Sequence, residues 1–269
     1  MTQFLSKFIT TVITTYNRSY CVSNSINSAI LAFPCSQIIL VDDASTDDTI
    51  NKVKASFCDQ MQSGQLRLIS LDHNVGVTEA KNIGYEAAHS DWVFFLDSDD
   101  TYIAGIEDMV QGELISSNDC PIVFFRCVDQ NGQHVGANHH KSQLLDLRTY
   151  LRCGSQGEAL TAINKKLILG SLPYQGDLRG YEGLGCCRII KQYGSALLSS
   201  LVLRVYYRGH EDALSSFSNM LNRSNLLAKG HRLIIKEFSK DMSFHQCVYY
   251  KIKALIYELA YRLSSMRHS

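Results

Sequence analysis

The sequence predicts an α/β protein built on a mostly parallel β-sheet that is flanked by helices. Two observations predict this class. Strand-like and helix-like segments alternate over the first hundred residues, and acidic residues directly follow two apolar strands, 37–41 and 91–96. Strand–helix–strand repetition implies right-handed crossovers between parallel neighbours. With 269 residues, 45% of them hydrophobic, the chain is long enough for one large domain or a domain with an appendage.

The elements follow one another in order, and each has a local signal. The first strand is rich in β-branched residues, and the helix after it has apolar residues at helical spacing and stops at Pro34. Asp47 and Asp48 suit the N-terminus of the next helix, where the dipole favours acids. The predicted strands are 8–15, 37–41, 66–71 and 91–96, and the predicted helices are 21–33, 45–57, 78–88 and 184–193.

Composition excludes several classes of protein. The nine cysteines include no CxxC pair, which indicates reduced thiols and not a disulfide framework or a zinc ribbon. No apolar stretch reaches the ~18–20 residues of a spanning helix, and no secretory leader is recognisable. The formal net charge of zero argues against nucleic acid as a partner. We therefore expect a soluble cytoplasmic protein.

The charges are distributed unevenly along the chain. Residues 40–119 contain 16 acidic and 4 basic side chains, whereas residues 203–269 contain 11 basic and 5 acidic ones. An acidic half favours binding of a cation, and a basic end favours an anionic partner.

Acidic clusters follow two of the predicted strands, at residues 42–43 and 97–100. The carboxyl ends of parallel strands meet at one edge of the sheet, where open α/β sheets bind ligands. Carboxylates gathered there repel one another unless a divalent cation or hydrogen-bond donors intervene. We therefore predict a metal or ligand site that includes Asp97 and Asp99. Neither GxGxxG nor GxxxxGK[ST] is present, so a backbone cradle for phosphates is not expected.

Four motifs in a fixed order carry a resemblance to a known family. They are Val12-Ile13-Thr14-Thr15-Tyr16-Asn17-Arg18, Ile39-Leu40-Val41-Asp42-Asp43-Ala44-Ser45-Thr46-Asp47, Asn74-Val75-Gly76 with Ala80-Lys81-Asn82-Ile83-Gly84, and Phe95-Leu96-Asp97-Ser98-Asp99-Asp100. Over about the first 105 residues, and loosely to about residue 215, the chain resembles family-2 glycosyltransferases of the bacterial O-antigen and exopolysaccharide type. The resemblance implies a GT-A fold, with a Rossmann-like, mostly parallel mixed sheet flanked by helices and a C-terminal helical appendage.

The resemblance also implies roles at the strand ends. Thr15 and Tyr16 match the positions that contact uracil and ribose, and Asp42 matches the carboxylate that accepts from uracil N3–H. Asp97 matches the first Asp of the DxD motif, near the ribose and the metal. Asp99 matches the second, the direct ligand of Mn²⁺ or Mg²⁺, which bridges the two phosphates of a UDP-sugar.

Lys81 and a later basic segment complete the implied nucleotide-sugar site. Lys81 stands where the family has an Arg, so the charge is kept but the bidentate fork is lost. Residues 204–210 resemble the family's mobile loop, which reaches back to the diphosphate through Arg208 and His210. The dipeptide Glu211-Asp212 follows this segment and is a rival position for the general base.

Glu182 is the preferred candidate for the general base. The family carries its base six residues before an Arg on the next helix, and Glu182 precedes Arg188 by that interval. The alternative is that Glu182 only favours the N-terminus of the helix over 184–193.

The C-terminal segment has an apolar stripe at helical spacing, which we call the C-terminal stripe: Val248, Ile252, Leu255, Ile256, Leu259 and Leu263. The favoured interpretation is that the stripe docks the helix on the domain. The alternative is that it lies on an anionic membrane, helped by Lys251, Lys253 and Arg262. The predicted division is 1–105 for the nucleotide sugar, 106–215 for the acceptor and catalysis, and 216–269 as the helical region.

The resemblance implies an inverting, metal-dependent transferase that moves a hexose, glucose or galactose, from a UDP-sugar. The implied acceptor is a GlcNAc or GalNAc on undecaprenyl diphosphate at the inner-membrane surface, with a β1,3 linkage. Residues 97–101 also fit DxDxT, the motif of haloacid-dehalogenase-like phosphatases in which Asp97 would be the nucleophile. A non-catalytic nucleotide-sugar-binding protein is the third hypothesis.

Overall fold

The computed structural model describes residues 6–137, 140–207 and 217–265. Its strands are β1 (Ser6–Thr15), β2 (Ser36–Asp42), β3 (Leu66–Ser70), β4 (Trp92–Asp97), β5 (Thr101–Tyr102), β6 (Ile122–Asp129), β7 (Gln143–Leu145), β8 (Ala159–Asn164) and β9 (Ala196–Tyr206). Its helices are α1 (Val22–Ala32), α2 (Thr49–Ser56), α3 (Cys58–Gln62), α4 (Val77–Ala87), α5 (Glu107–Ser116), α6 (Leu147–Cys153), α7 (Glu182–Tyr193), α8 (Phe217–Asn222), α9 (Ser224–Phe238) and α10 (Phe244–Ser265).

In the described residues the strands form one mixed sheet in the order β3-β2-β1-β4-β8-β6-β9-β5, with β7 paired to β9. The pairs of β1 with β2 and β4, of β2 with β3 and of β6 with β9 are parallel, whereas β8 is antiparallel to both of its neighbours. The sheet is therefore mostly parallel through β1–β4, as the sequence predicts, and mixed beyond.

The second predicted helix begins later than expected and is broken. It was predicted over residues 45–57, but α2 begins at Thr49, where the Asp47 carboxylate accepts from the Thr49 amide at 3.0 Å. Ala44, with φ +63°, holds the chain in a loop before that point. A new helix, α3, begins at Cys58.

Two apolar layers cover the two faces of the sheet. One contains α1, α2 and α5, and the other contains α4 and α7. Helix α4 lies unusually close to β1, because a Cβ added to Gly84 would be 2.3 Å from Cγ1 of Val12. This close approach brings the N-terminal half of α4 to the edge where β1, β2 and β4 end.

The C-terminal helices dock through a face that the sequence did not indicate. Ala254 of α10 is buried. Tyr250 and Tyr257 of α10 pack around His231 of α9, and their ring centroids lie 5.6 and 5.5 Å from the centroid of the imidazole. On the opposite side of α10, five members of the C-terminal stripe are about half exposed or more: Ile252, Leu255, Ile256, Leu259 and Leu263. The expectation that the stripe docks on the domain is therefore wrong. No described helix is long and apolar enough to cross a membrane.

Candidate active site

The parallel register brings three predicted site residues together at the carboxyl edge of the sheet. Thr15 is paired with Asp42 across β1 and β2, and Thr14 is paired with Asp97 across β1 and β4. Because successive residues of a strand project to opposite faces of the sheet, Thr15 and Asp42 lie on one face of this edge, and Thr14 and Asp97 lie on the other.

Two buried polar atoms at this edge lack partners among the described residues. Thr15 and Asp42 are 3% and 2% exposed, and within the described part of the chain neither Thr15 Oγ1 nor Asp42 Oδ1 has a hydrogen-bond partner. Asp42 Oδ2 accepts from the Ser45 amide at 3.0 Å. Orphaned buried oxygens are costly, and a base edge with an N–H donor would satisfy Asp42 Oδ1. Tyr16, next along the chain, is 40% exposed.

Asp43 does not join this edge, although the sequence groups it with the other acids. Its Oδ1 and Oδ2 accept from the amides of Val75 (2.7 Å) and Gly76 (2.9 Å), so it shapes the loop before α4. Burial raises the pKa of Asp43, and the two backbone donors oppose that shift.

Lys81 links the strand edge to the candidate base. Its Nζ is 3.1 Å from Asp97 Oδ1 and 3.2 Å from Glu182 Oε1, and the Lys81 side chain is only 11% exposed. Burial alone would lower the pKa of Lys81, but the two carboxylates reverse this effect and raise it. An ammonium that is charged at all physiological pH values thus bridges Asp97 and Glu182.

Arg204 is a buried cation that the sequence did not single out at this site. It lies in β9 and not in the predicted 204–210 loop, and its Nη1 is 3.5 Å from Asp97 Oδ2 and 3.2 Å from Asp100 Oδ2. The sequence feature that could have revealed it is the position of Arg204 at the end of a largely apolar run, because such a run predicts a strand. Burial would raise the pKa of Asp97, but Lys81 and Arg204 outweigh it and lower that pKa. Burial raises the pKa of Asp100 to about 8, against the pull of Arg204.

Glu182 is the first residue of α7, and helix α4 fixes the segment that leads to it. Asn82 exchanges two hydrogen bonds with the backbone of Tyr174, at 3.0 and 3.1 Å. Thr78 Oγ1 accepts from the Gly180 amide at 2.7 Å. The Glu182 side chain remains 28% exposed, so it is held in place without being covered.

Arg188 does not contact Glu182. It forms a bidentate pair with Glu237 of α9, at 2.7 and 2.8 Å, and donates to Gln175 at 2.8 Å. The interval of six residues between Glu182 and Arg188 thus places the Arg where it joins α7 to the C-terminal helices.

Several predicted residues lie outside the described part of the chain. These are Arg208, His210, Glu211 and Asp212, all within residues 208–216. Asp99 is described, and it is half-buried in the turn after β4.

A divalent cation would find oxygen ligands after β4. Over residues 6–137, 140–207 and 217–265, no group of three or more His, Cys, Asp or Glu side chains is arranged to hold a metal. A hard cation that also binds substrate phosphates needs only one or two carboxylates, since phosphate oxygens and water complete its shell. Asp97 and Asp99 supply such a pair, and the residues present therefore fit Mn²⁺ or Mg²⁺.

The parallel half-sheet, its polar edge and the acidic turn after β4 define the class of GT-A glycosyltransferase folds. The family model described as "Glycosyl transferase family 2" matches residues 10–160. The chain belongs to this family, and the resemblance seen in the sequence is confirmed.

Two curated bacterial proteins match part of this chain. The succinoglycan biosynthesis protein ExoO of Rhizobium meliloti is 36% identical over 94 residues, 35% of this chain and 26% of ExoO. WfgD of Escherichia coli, a UDP-Glc:α-D-GlcNAc-diphosphoundecaprenol β-1,3-glucosyltransferase, is 25% identical over 111 residues, 41% of this chain and 42% of WfgD. The matches thus span about a quarter to two-fifths of these relatives.

Two solved structures share the fold. Staphylococcus aureus TarS in complex with UDP-GlcNAc has a TM-score of 0.64 at 16% identity, over 85% of this chain and 66% of that one. The mannosyltransferase PcManGT of Pyrobaculum calidifontis, in complex with GDP-Man and Mn²⁺, has a TM-score of 0.63 at 16% identity. The match covers 96% of this chain and 73% of that one.

Proposed function

We propose that this protein is an inverting, divalent-metal-dependent hexosyltransferase. It transfers glucose or galactose from a UDP-sugar to a hydroxyl of GlcNAc or GalNAc on undecaprenyl diphosphate, in O-antigen or exopolysaccharide repeat units, with a β1,3 linkage. One observation carries the proposal: Lys81 lies within 3.2 Å of both Asp97 and Glu182, so the acid that ends β4 and the candidate base face the same space. WfgD, a relative with this donor, acceptor type and linkage in its name, supports the choice of substrates.

Each residue has a chemical task in this proposal. Asp42 Oδ1 and Thr15 Oγ1, both buried and unpartnered among the described residues, take the uracil and ribose with Tyr16. Asp99 and Asp97 hold Mn²⁺ or Mg²⁺, which stabilises the charge of the UDP leaving group when it is bound.

Glu182 removes the proton from the acceptor hydroxyl as that oxygen attacks the sugar from the side opposite UDP. Lys81 holds the Glu182 carboxylate at the site through their ion pair until substrates bind. Arg208 and His210 are proposed to contact the diphosphate.

The proposed division of labour follows the chain. Residues 1–105 bind the nucleotide sugar, residues 106–215 bind the acceptor and supply the base, and residues 216–269 form the helical region. The last segment is proposed to rest on the cytoplasmic face of the inner membrane, because the C-terminal stripe faces away from the domain and Lys251 and Lys253 flank it.

The test of the activity is a screen of UDP-, GDP- and dTDP-sugars with Mn²⁺ or Mg²⁺ against GlcNAc- and GalNAc-diphosphate-lipid analogues. We expect transfer from a UDP-hexose, loss of transfer in EDTA, and inversion at the anomeric carbon by NMR. Binding of UDP with Mn²⁺ but no transfer to any acceptor would instead support the non-catalytic binding protein. The phosphatase hypothesis is not retained, since the family match assigns the chain to glycosyltransferases.

The test of membrane binding is co-sedimentation with phosphatidylglycerol and phosphatidylcholine vesicles. We expect the double variant Leu255→Gln/Leu259→Gln to lose binding to anionic vesicles. The matched control is Leu144→Gln/Leu169→Gln, which alters two exposed leucines elsewhere (65% and 76% exposed) and should bind like the wild type. Equal loss in both double variants would contradict the assignment of the stripe.

A further inference from the structure

Arg126, in β6, is a buried arginine that the site described above does not use. The residue is 3% exposed, and its Nη1 donates to the Ser155 carbonyl at 3.3 Å. Its Nε and Nη2 are buried and have no hydrogen-bond partner among the described residues. By contrast, Arg204 on the neighbouring strand faces three carboxylates, those of Asp97, Asp100 and Glu158.

The sheet register puts Arg126 on the same face and at the same level as Asp97. Phe95 faces Thr161 across β4 and β8, and Arg126 faces Ala159 across β8 and β6. Residues that face each other, or are two apart on one strand, project to the same side of the sheet. Asp97 and Arg126 therefore share the side that carries Lys81 and Glu182, two strands or about 10 Å apart.

A cleft of about 610 Å³ lies on this side, between α6, α7, α9 and α10. Its lining includes Gly183, which directly follows Glu182, and Gly154, which directly precedes Ser155. The ring of Tyr150 forms part of the wall and stacks on Phe124, two residues before Arg126, with centroids 5.5 Å apart. The cleft is thus bordered by the residue next to the candidate base and by the residue next to Ser155, the partner of Arg126.

We infer that Arg126 is an anion-binding residue that takes a phosphate group of the acceptor. This inference rests on the proposed function and extends it to the acceptor side. A buried guanidinium with two donors that no described residue satisfies is unfavourable, and its planar fork matches phosphate oxygens. A donor diphosphate held at Asp97 and Asp99 lies two strands away, so the phosphate that reaches Arg126 belongs to the acceptor. The phosphate takes the place of the Ser155 carbonyl as the partner of the guanidinium.

The experiment compares wild type, Arg126→Gln and the matched control Arg148→Gln, which removes an exposed arginine of α6. Steady-state kinetics are measured with a sugar-diphosphate-lipid analogue and with an analogue in which a neutral ether replaces the diphosphate. We expect Arg126→Gln to raise the acceptor KM at least 10-fold and to leave the donor KM within 2-fold. With the ether analogue the variant and the wild type should be equally poor, and Arg148→Gln should behave like the wild type throughout.

Thermal unfolding separates this role from a structural one. Removing an unpaired buried charge should leave Tm unchanged or raise it, whereas a residue that holds the fold together would lower Tm. An unchanged acceptor KM, or a lower Tm with both KM values altered, overturns the inference. A raised donor KM with an unchanged acceptor KM overturns the acceptor assignment and gives the phosphate to the donor.

A second readout does not need transfer. In EDTA, inorganic pyrophosphate should raise the Tm of the wild type and of Arg148→Gln but not that of Arg126→Gln. If no acceptor is glycosylated and this difference is found, the proposed function fails while the anion site stands. If transfer is found and pyrophosphate shifts all three proteins equally, the anion site fails alone.

Discussion

The carboxyl edge of β1, β2 and β4 differs from the docked pair of helices α9 and α10 in how much the sequence predicts. The sequence predicts strands at the one and a helical region at the other, but only for the strand edge does it predict which side chains lie together. In parallel strands, register and the twofold alternation of side chains decide which residues meet, as Thr15 and Asp42 do. A helix offers several faces to its neighbours. α10 uses the one with Ala254 and two tyrosines, because the small side chain permits close approach and the rings surround His231. The side chains that meet at strand ends can therefore be predicted from sequence more directly than the face through which an amphipathic helix packs.

The strongest test of the site at the strand edge changes its candidate base: Glu182→Gln keeps the shape of the side chain and removes the base. We expect kcat to fall about 10³-fold, or roughly 4 kcal/mol, with UDP–Mn²⁺ affinity unchanged. The matched control is Glu107→Gln, because Glu107 is the first residue of α5 as Glu182 is of α7. If Glu182 only favours a helix start, the two variants will have similar, small effects on kcat.

The next largest effect is expected at Arg204, which joins β9 to the acids after β4. Arg204→Met removes the cation that faces Asp97 and Asp100, so we expect the free energy of unfolding to fall by about 3 kcal/mol. Urea unfolding of this variant, of Asp100→Asn and of the double variant gives the coupling energy. Strictly additive effects would mean that Arg204 and Asp100 do not stabilise each other.

Particular residues show where prediction from sequence succeeds and where it stops. The strand ends at Asp42 and Asp97 could be predicted, because apolar runs bounded by acids mark both the strand and its end. Arg126 and Arg204 could not be placed, since a single cation in an apolar strand gives no sign of what it faces across the sheet. The late start of α2 depends on a side-chain contact between Asp47 and Thr49, which a preference for acids at helix starts does not position.

A smaller effect should appear where α9 meets α7 and α10, in the pH dependence of stability. Burial, and then the nearby Lys253, lowers the pKa of His231 to about 4, and the ring shares a 2.7 Å hydrogen bond with Tyr181. The unfolded chain binds a proton near pH 6.5 and the folded one does not, so stability falls as the pH drops from about 6.5 toward 4. Between pH 7 and pH 5 we expect the wild type to lose about 2 kcal/mol more than His231→Asn, measured by urea unfolding. Parallel pH profiles for the two proteins would show that His231 is protonated in the folded state.

The smallest effect on stability should come from the outward face of α10, and it tests the comparison most directly. Leu255→Gln and Leu259→Gln alter side chains that are 56% and 49% exposed, and Gln is about as good a helix former as Leu. Each change should therefore alter the free energy of unfolding by less than about 0.5 kcal/mol. Ala254→Leu, on the buried face of the same helix, should cost about 1–3 kcal/mol because the packed interface has no room for the added atoms. If the leucine variants are as destabilised as Ala254→Leu, the stripe is a packing face after all. If they are as stable as the wild type, the exposed apolar surface does not stabilise the fold, which is the condition that a membrane-binding face would meet.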